Sequence, residues 1–157
     1  MAGTHVLSSG AEVKIRRPWA VAALSLVPFY WCVWYYRVNR EMRDYGRTRA
    51  DGPLASSRPG LSILAVTLGS LVVVPALVSR WRAVRRMQAC ERFVSLGDPS
   101  ADALLVLVLV SSVLGVIPAI VSLGLVWIAT AVASTALVLA ATFAMQRRLN
   151  AVWLDSV

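Results

Sequence analysis

Three stretches of the chain carry no charged side chain: Pro18–Tyr36, Pro59–Ser79 and Ala103–Gln146, of 19, 21 and 44 residues. Their apolar positions run continuously instead of recurring on one helical face, so no polar side is left for water, as a helix on the surface of a soluble domain requires. The pattern predicts helices in lipid, an all-α integral membrane protein. A single helix through the 44-residue block would be about 66 Å long, about twice the hydrocarbon core of a bilayer. That block must fold back, and Gly115, Pro118, Ser122 and Gly124 supply the breakers. The expected architecture has about four transmembrane segments, near 18–36, 60–79, 102–117 and 124–146. Trp127 then falls at the far interface, where tryptophan is favoured. The first segment has Pro28 in its middle and either crosses with a kink or breaks there. The second is expected to cross once, with Pro75 near its end.

The polar stretches between the blocks carry a different periodicity. Arg37, Arg40, Arg43 and Arg47 share one helical face, and Val38, Met42 and Tyr45 another. From Arg80 to Arg92 an apolar face of Ala83, Val84, Met87 and Cys90 stands opposite Arg82, Arg85, Arg86 and Arg92. Both read as juxtamembrane basic amphipathic helices in the headgroup region, with Gly46 and Gly97 as stops. The alternative is a snorkelling, solvated end to each span. Residues 1–13, rich in Gly, Ser and Thr, are expected to be disordered. Residues 14–153 form one membrane-embedded domain, and 154–157 a short tail. Pro18, Pro59 and Pro99 open the three blocks at intervals of 41 and 40 residues, a faint internal repeat without deeper identity.

Composition agrees with this class: 58% of the chain is hydrophobic and 15% charged, against about 25% charged in soluble domains. Sixteen Lys and Arg face eight Asp and Glu. The basic residues flank apolar blocks, so the expected partner is the lipid bilayer, through anionic headgroups, and not nucleic acid. Lys14, Arg16 and Arg17 resemble the start of a signal peptide, but Phe29, Tyr30 and Trp31 stand where a cleavage site needs small residues. The first block is therefore expected to remain as a membrane segment. Four crossings with cytoplasmic termini leave ten Lys and Arg inside and six outside, a weak charge bias. Cys32 and Cys90 imply no disulfide.

Arg17-Pro18-Trp19-Ala20-Val21, the run from Trp34 to Gly46, Ala65-Val66-Thr67-Leu68-Gly69 with Pro75, and the closing stretch Gln146–Trp153 resemble a family of small bacterial membrane proteins called domain of unknown function 4234. The resemblance covers most of residues 14–153 and implies a multi-pass protein of the bacterial plasma membrane. It supplies no activity and no site residues. Pro28 stands where the family has glycine, and the third block is longer than the family's.

Candidate chemistry is sparse. The single His, His5, lies in the tail, so neither a metal site nor a serine or cysteine nucleophile has its partner. Glu41 with Asp44 and Asp98 with Asp102 sit beside arginines and read as surface ion pairs. None of the apolar segments holds the ionisable group that proton-coupled transport needs. The six aromatics from Phe29 to Tyr36 read as an interfacial belt. Ala129, Ala133, Ala136, Ala140 and Ala144 form a small-residue face for helix packing, within the chain or between copies. The expected protein is not an enzyme and needs no cofactor. It is an interaction or scaffold protein that contacts anionic lipids, through Arg37, Arg40, Arg43, Arg47, Arg82, Arg85, Arg86 and Arg92, and other membrane proteins or its own copies. The alternative is a small oligomeric channel or uncoupled transporter.

Overall fold

The computed structural model describes residues 3–8, 10–27, 29–67, 74–95, 101–114 and 124–156. The described chain is mostly helical. Strands β1 (Gly3–Val6) and β2 (Glu12–Ile15) precede helices α1 (Pro18–Leu24), α2 (Tyr30–Thr48), α3 (Gly52–Ala55) and α4 (Pro59–Thr67). Helices α5 (Val74–Phe93), α6 (Ala101–Leu114) and α7 (Gly124–Asp155) follow.

The described residues of each charge-free block fall on two helices. In the first, Pro18 opens α1, where its missing N–H breaks no helical bond. The chain then turns: Val27 N–H donates to Leu24 O at 2.9 Å, Tyr30 N–H to Val27 O at 3.2 Å, and Phe29 takes a left-handed φ of 67°. Pro28 itself lies outside the described residues. In the second block α4 packs on α5, and Ser79 Oγ donates to Ser62 O at 2.9 Å between them. Pro75 sits in the first turn of α5, so it starts a helix and does not end one. In the third block α6 packs along α7. Gly115, Pro118 and Ser122 lie outside the described residues, as do Gly97, Asp98 and Pro99, while Gly124 begins α7.

The flanks of the first two blocks and the exit of the third meet at one end of the molecule. Arg16, before the first block, is paired with Glu41, after it. Arg86, after the second block, donates to Asn39 Oδ1 at 2.7 Å and to Ser62 Oγ, at the second block's beginning, at 3.2 Å. Arg148, after the third block, is paired with Glu91 through Nε at 2.7 Å and a second nitrogen at 2.8 Å. Four full spans are not supported. In the segment near 60–79 entry and exit lie together, and the segment near 18–36, expected to cross with a kink or to break at Pro28, is divided between α1 and α2. The first polar loop also shares its end with the second and does not face away from it. Helix length agrees: among the described helices one, Trp127–Asp155 within α7, is long and apolar enough to cross a membrane.

The core lies at this end. Val38, Met42 and Tyr45 of α2, Val84, Met87 and Cys90 of α5, and Leu149, Val152 and Trp153 of α7 are fully buried in one cluster. The Tyr45 ring meets Trp153 edge-on at 5.3 Å and Phe93 at 6.0 Å. The apolar faces read from sequence are these faces, but they pack on protein and not on lipid. Neither is a separate helix either, since α2 and α5 each run unbroken from apolar block into basic segment. Gly46 does not stop α2. A Cβ there would collide with Leu54 and lie 3.1 Å from Ala55 N, so the glycine lets α3 close onto α2.

Residues expected to be a disordered tail form an antiparallel hairpin, with Gly3 opposite Ile15 and Val6 opposite Glu12. Val13 and Ile15 are buried while Glu12 and Lys14 are exposed, the two-residue alternation of a half-buried strand. Leu7 N–H closes the turn on Ala11 O at 2.9 Å, and Ser8 Oγ donates to Ser156 O at 2.9 Å.

The surface of the blocks is the reverse of this core. Of the large apolar side chains that remain exposed, all but Val6, Trp81, Phe93 and Leu154 belong to the three charge-free blocks. Only 22% of the most apolar window of α7 is buried, unlike the central helix of a soluble domain. Trp127 is half-exposed at the end of α7 away from the core.

Candidate functional site

The basic segments are built around buried polar contacts that hold the three block exits in register. The Trp34 indole N–H donates to Gln146 Oε1 at 2.8 Å, and Gln146 Nε2 donates to Asn150 Oδ1 at 2.8 Å. Asn150 then bonds both the N–H and the C=O of Arg16, as a neighbouring strand would. Asn39, fully buried, donates to Tyr35 O at 2.8 Å and receives Arg86. Buried amides whose oxygen and nitrogen each have a partner fix one arrangement of the helices, because leaving either without one costs about 1–3 kcal/mol.

A groove of about 870 Å³ opens between the α3–α4 segment and α5. Arg58, Arg82, Arg85, Arg86 and Arg92 line it, with Asp51 as its one acidic residue. That carboxylate already caps α3, accepting from Leu54 N–H at 2.9 Å. Leu61, Ala65, Val74, Pro75 and Val78 line it as well. The groove thus joins a guanidinium cluster to an apolar surface. Among the described residues Arg58, Arg82, Arg85 and Arg92 are exposed and have no carboxylate within ion-pair distance. Arg85 reaches only Gln88 Oε1 at 3.2 Å and the face of Trp81 at 5.7 Å. Arg86 is partly buried; burial is the largest influence and lowers its proton affinity, Tyr35 opposes this, and Arg82 adds to it. A guanidinium does not lose its proton in a protein, so Arg86 carries its charge into the groove wall.

The sequence-derived arginines divide accordingly. Arg82, Arg85, Arg86 and Arg92 converge in this groove. Arg43 and Arg47 line a neighbouring one. Arg37 and Arg40 are exposed and line neither. Asp44 serves Arg40, Arg43 and Arg47 at 3.6, 2.9 and 3.7 Å. Arg58 escaped the sequence reading because it stands alone between Ser57 and Pro59, on no helical face. Its signal was the proline that follows, which starts a helix beside it. Ala129, Ala133, Ala136 and Ala140 are exposed and Ala144 is partly buried. The inward side of α7 is instead Ser134, Ala141, Thr142 and Met145.

Other chemistry is limited. A cavity of about 40 Å³ among Trp31, Tyr35, Arg80, Ser111 and Thr142 has room for a few waters. Arg80 lies over the Trp31 ring at 5.4 Å and donates to Ser112 Oγ. Among the described residues no three His, Cys, Asp or Glu side chains gather as metal ligands. The Cys90 thiol is pushed up to about 12, by burial first and then by Glu91 and Asp51. It is no nucleophile, since the thiolate is the reactive form. Comparison with protein-family models, with curated proteins and with solved structures finds no match.

Proposed function

We propose that this is a non-enzymatic interaction protein of the membrane whose basic face binds anionic lipid in the groove between α3–α4 and α5. The observation that carries the reading is the set of four exposed arginines without carboxylate partners beside an apolar wall. A phosphate headgroup would satisfy the guanidinium forks, and acyl chains would lie along Leu61, Ala65, Val74 and Val78.

Membrane residence is supported by the exposed apolar surface of the blocks and by the length of α7. From Gly124 to Gln146 that helix is about 33 Å long, enough for a hydrocarbon core of about 30 Å. Helix α1, of 7 residues, reaches only about 10 Å, and the described part of α4, Pro59–Thr67, about 14 Å. The architecture that fits has α7 crossing, α6 packed along it, and the first two blocks turning back as shallow hairpins. Every basic flank then lies on one side, and the charge rule puts that side in the cytoplasm, with both termini.

Replacing Arg58, Arg82 and Arg85 by Gln tests the groove and leaves Arg86, which also bonds Asn39 and Ser62, in place. Each charge near a membrane surface contributes about 1 kcal/mol, so the triple variant should bind anionic lipid about a hundredfold more weakly. Native mass spectrometry from mild detergent reads the bound lipid. Equal retention by wild type and variant would overturn the reading.

A further inference from the structure

Ser56, Ser57, Arg58 and Leu61 line two grooves at once: the one described above and a second of about 690 Å³ that also holds Arg43 and Arg47. We propose that the pair of grooves takes a single lipid carrying two phosphates, one phosphate in each groove and Arg58 between them. This rests on the lipid reading above and names its ligand class.

Three features of the shared rib favour a bridging ligand over two independent ones. The second groove retains positive charge, because a single Asp44 carboxylate is divided among Arg40, Arg43 and Arg47. Ser57 is 8% exposed, and among the described residues its hydroxyl has no hydrogen-bond partner, an arrangement that native proteins rarely leave without a ligand or water. Helix α4 begins at Pro59, so the N–H groups of Gly60 and Leu61 lack helical acceptors and present the positive end of the helix dipole at the rib. Just beyond, Leu61 and Leu64 are 54% and 50% exposed, offering apolar surface to acyl chains at the point where the grooves join. A lipid with one phosphate would occupy one groove and leave the cations of the other unmatched.

The test uses the full chain, stripped of lipid in mild detergent, with cardiolipin as the two-phosphate probe and phosphatidylglycerol as the one-phosphate probe at equal phosphate concentration. Bound lipid is counted by native mass spectrometry. Cardiolipin should bind at least fivefold more tightly per phosphate. Arg47→Gln and Arg82→Gln, one in each groove, should each weaken cardiolipin about fivefold. Equal binding per phosphate, or a cardiolipin affinity insensitive to Arg47→Gln, would overturn the two-phosphate site while the anionic-lipid reading stands. Retention of neither lipid would overturn both.

Discussion

Glu41→Gln removes one charge from a pair that ties the entry of the first block to its exit. Arg16 meets Glu41 through two nitrogens, at 2.9 and 2.5 Å, and the two side chains are only 10% and 13% exposed. Glutamine preserves shape and leaves the guanidinium without its counter-charge in a poorly solvated site. Breaking a buried pair in this way costs about 3–5 kcal/mol, and the residual exposure places this pair near the lower limit. For a chain of this length 1 kcal/mol shifts Tm by about 2–4 °C, so a fall of about 6–12 °C is expected. Asp44→Asn is the control. Its partners Arg40, Arg43 and Arg47 are 61%, 22% and 59% exposed and Asp44 itself 33%, and pairs open to water contribute about 1 kcal/mol or less. Tryptophan fluorescence during heating in detergent gives the Tm values. Arg16→Met and the Arg16→Met, Glu41→Leu double variant complete a cycle, in which the double variant should recover much of the loss because no buried charge is left unpaired. If Glu41→Gln costs no more than Asp44→Asn, or the two sites prove additive, the pair is not formed. The first block would then be free to run from one side to the other.

Gly46→Ala should lower stability by about 1–3 kcal/mol through overpacking, because the new methyl meets Leu54 and the α3 backbone; thermal unfolding reads this, and an unchanged Tm would mean that α3 does not close on α2. Cys90, fully buried, should resist maleimide until the protein is denatured, and modification under native conditions would contradict the packing of α5. Its raised folded-state value means that the unfolded chain releases this proton first as pH rises. The associated stability is therefore complete below about 9 and is lost progressively towards about 12, which unfolding midpoints across that range would detect.

Much of this was legible in the sequence, for physical reasons. The buried faces of α2 and α5 follow from 100° per residue alone, and Val38, Met42, Tyr45, Ala83, Val84, Met87 and Cys90 are all buried. What covers those faces was not legible. Amphipathicity is the same whether the partner is lipid or another helix, and Leu149, Val152 and Trp153, far along the chain, decide it. The hairpin at the N-terminus was hidden because the alternation in Glu12–Ile15 spans four residues beside a run of Gly, Ser and Thr. Length left the path of the first two blocks open: 19 and 21 apolar residues satisfy a single crossing as readily as a shallow return. The proline repeat carried the information, since Pro18 and Pro59 each open a short ascending helix before a longer one. Four groove arginines came from helical phase, whereas Arg58 required knowing that α4 turns back against α5.

The central claim is that the flanks of the first two blocks and the exit of the third share one side of the membrane. Arg47→Cys, Arg92→Cys and Asp155→Cys, introduced singly into a chain with alanine at positions 32 and 90, place thiols at three exposed positions. Labelling in intact cells and in inverted membrane vesicles with an impermeant maleimide reports the side of each. All three should label in inverted vesicles and none in intact cells. A position 47 thiol that labels from the side opposite to 92 and 155 would contradict the claim.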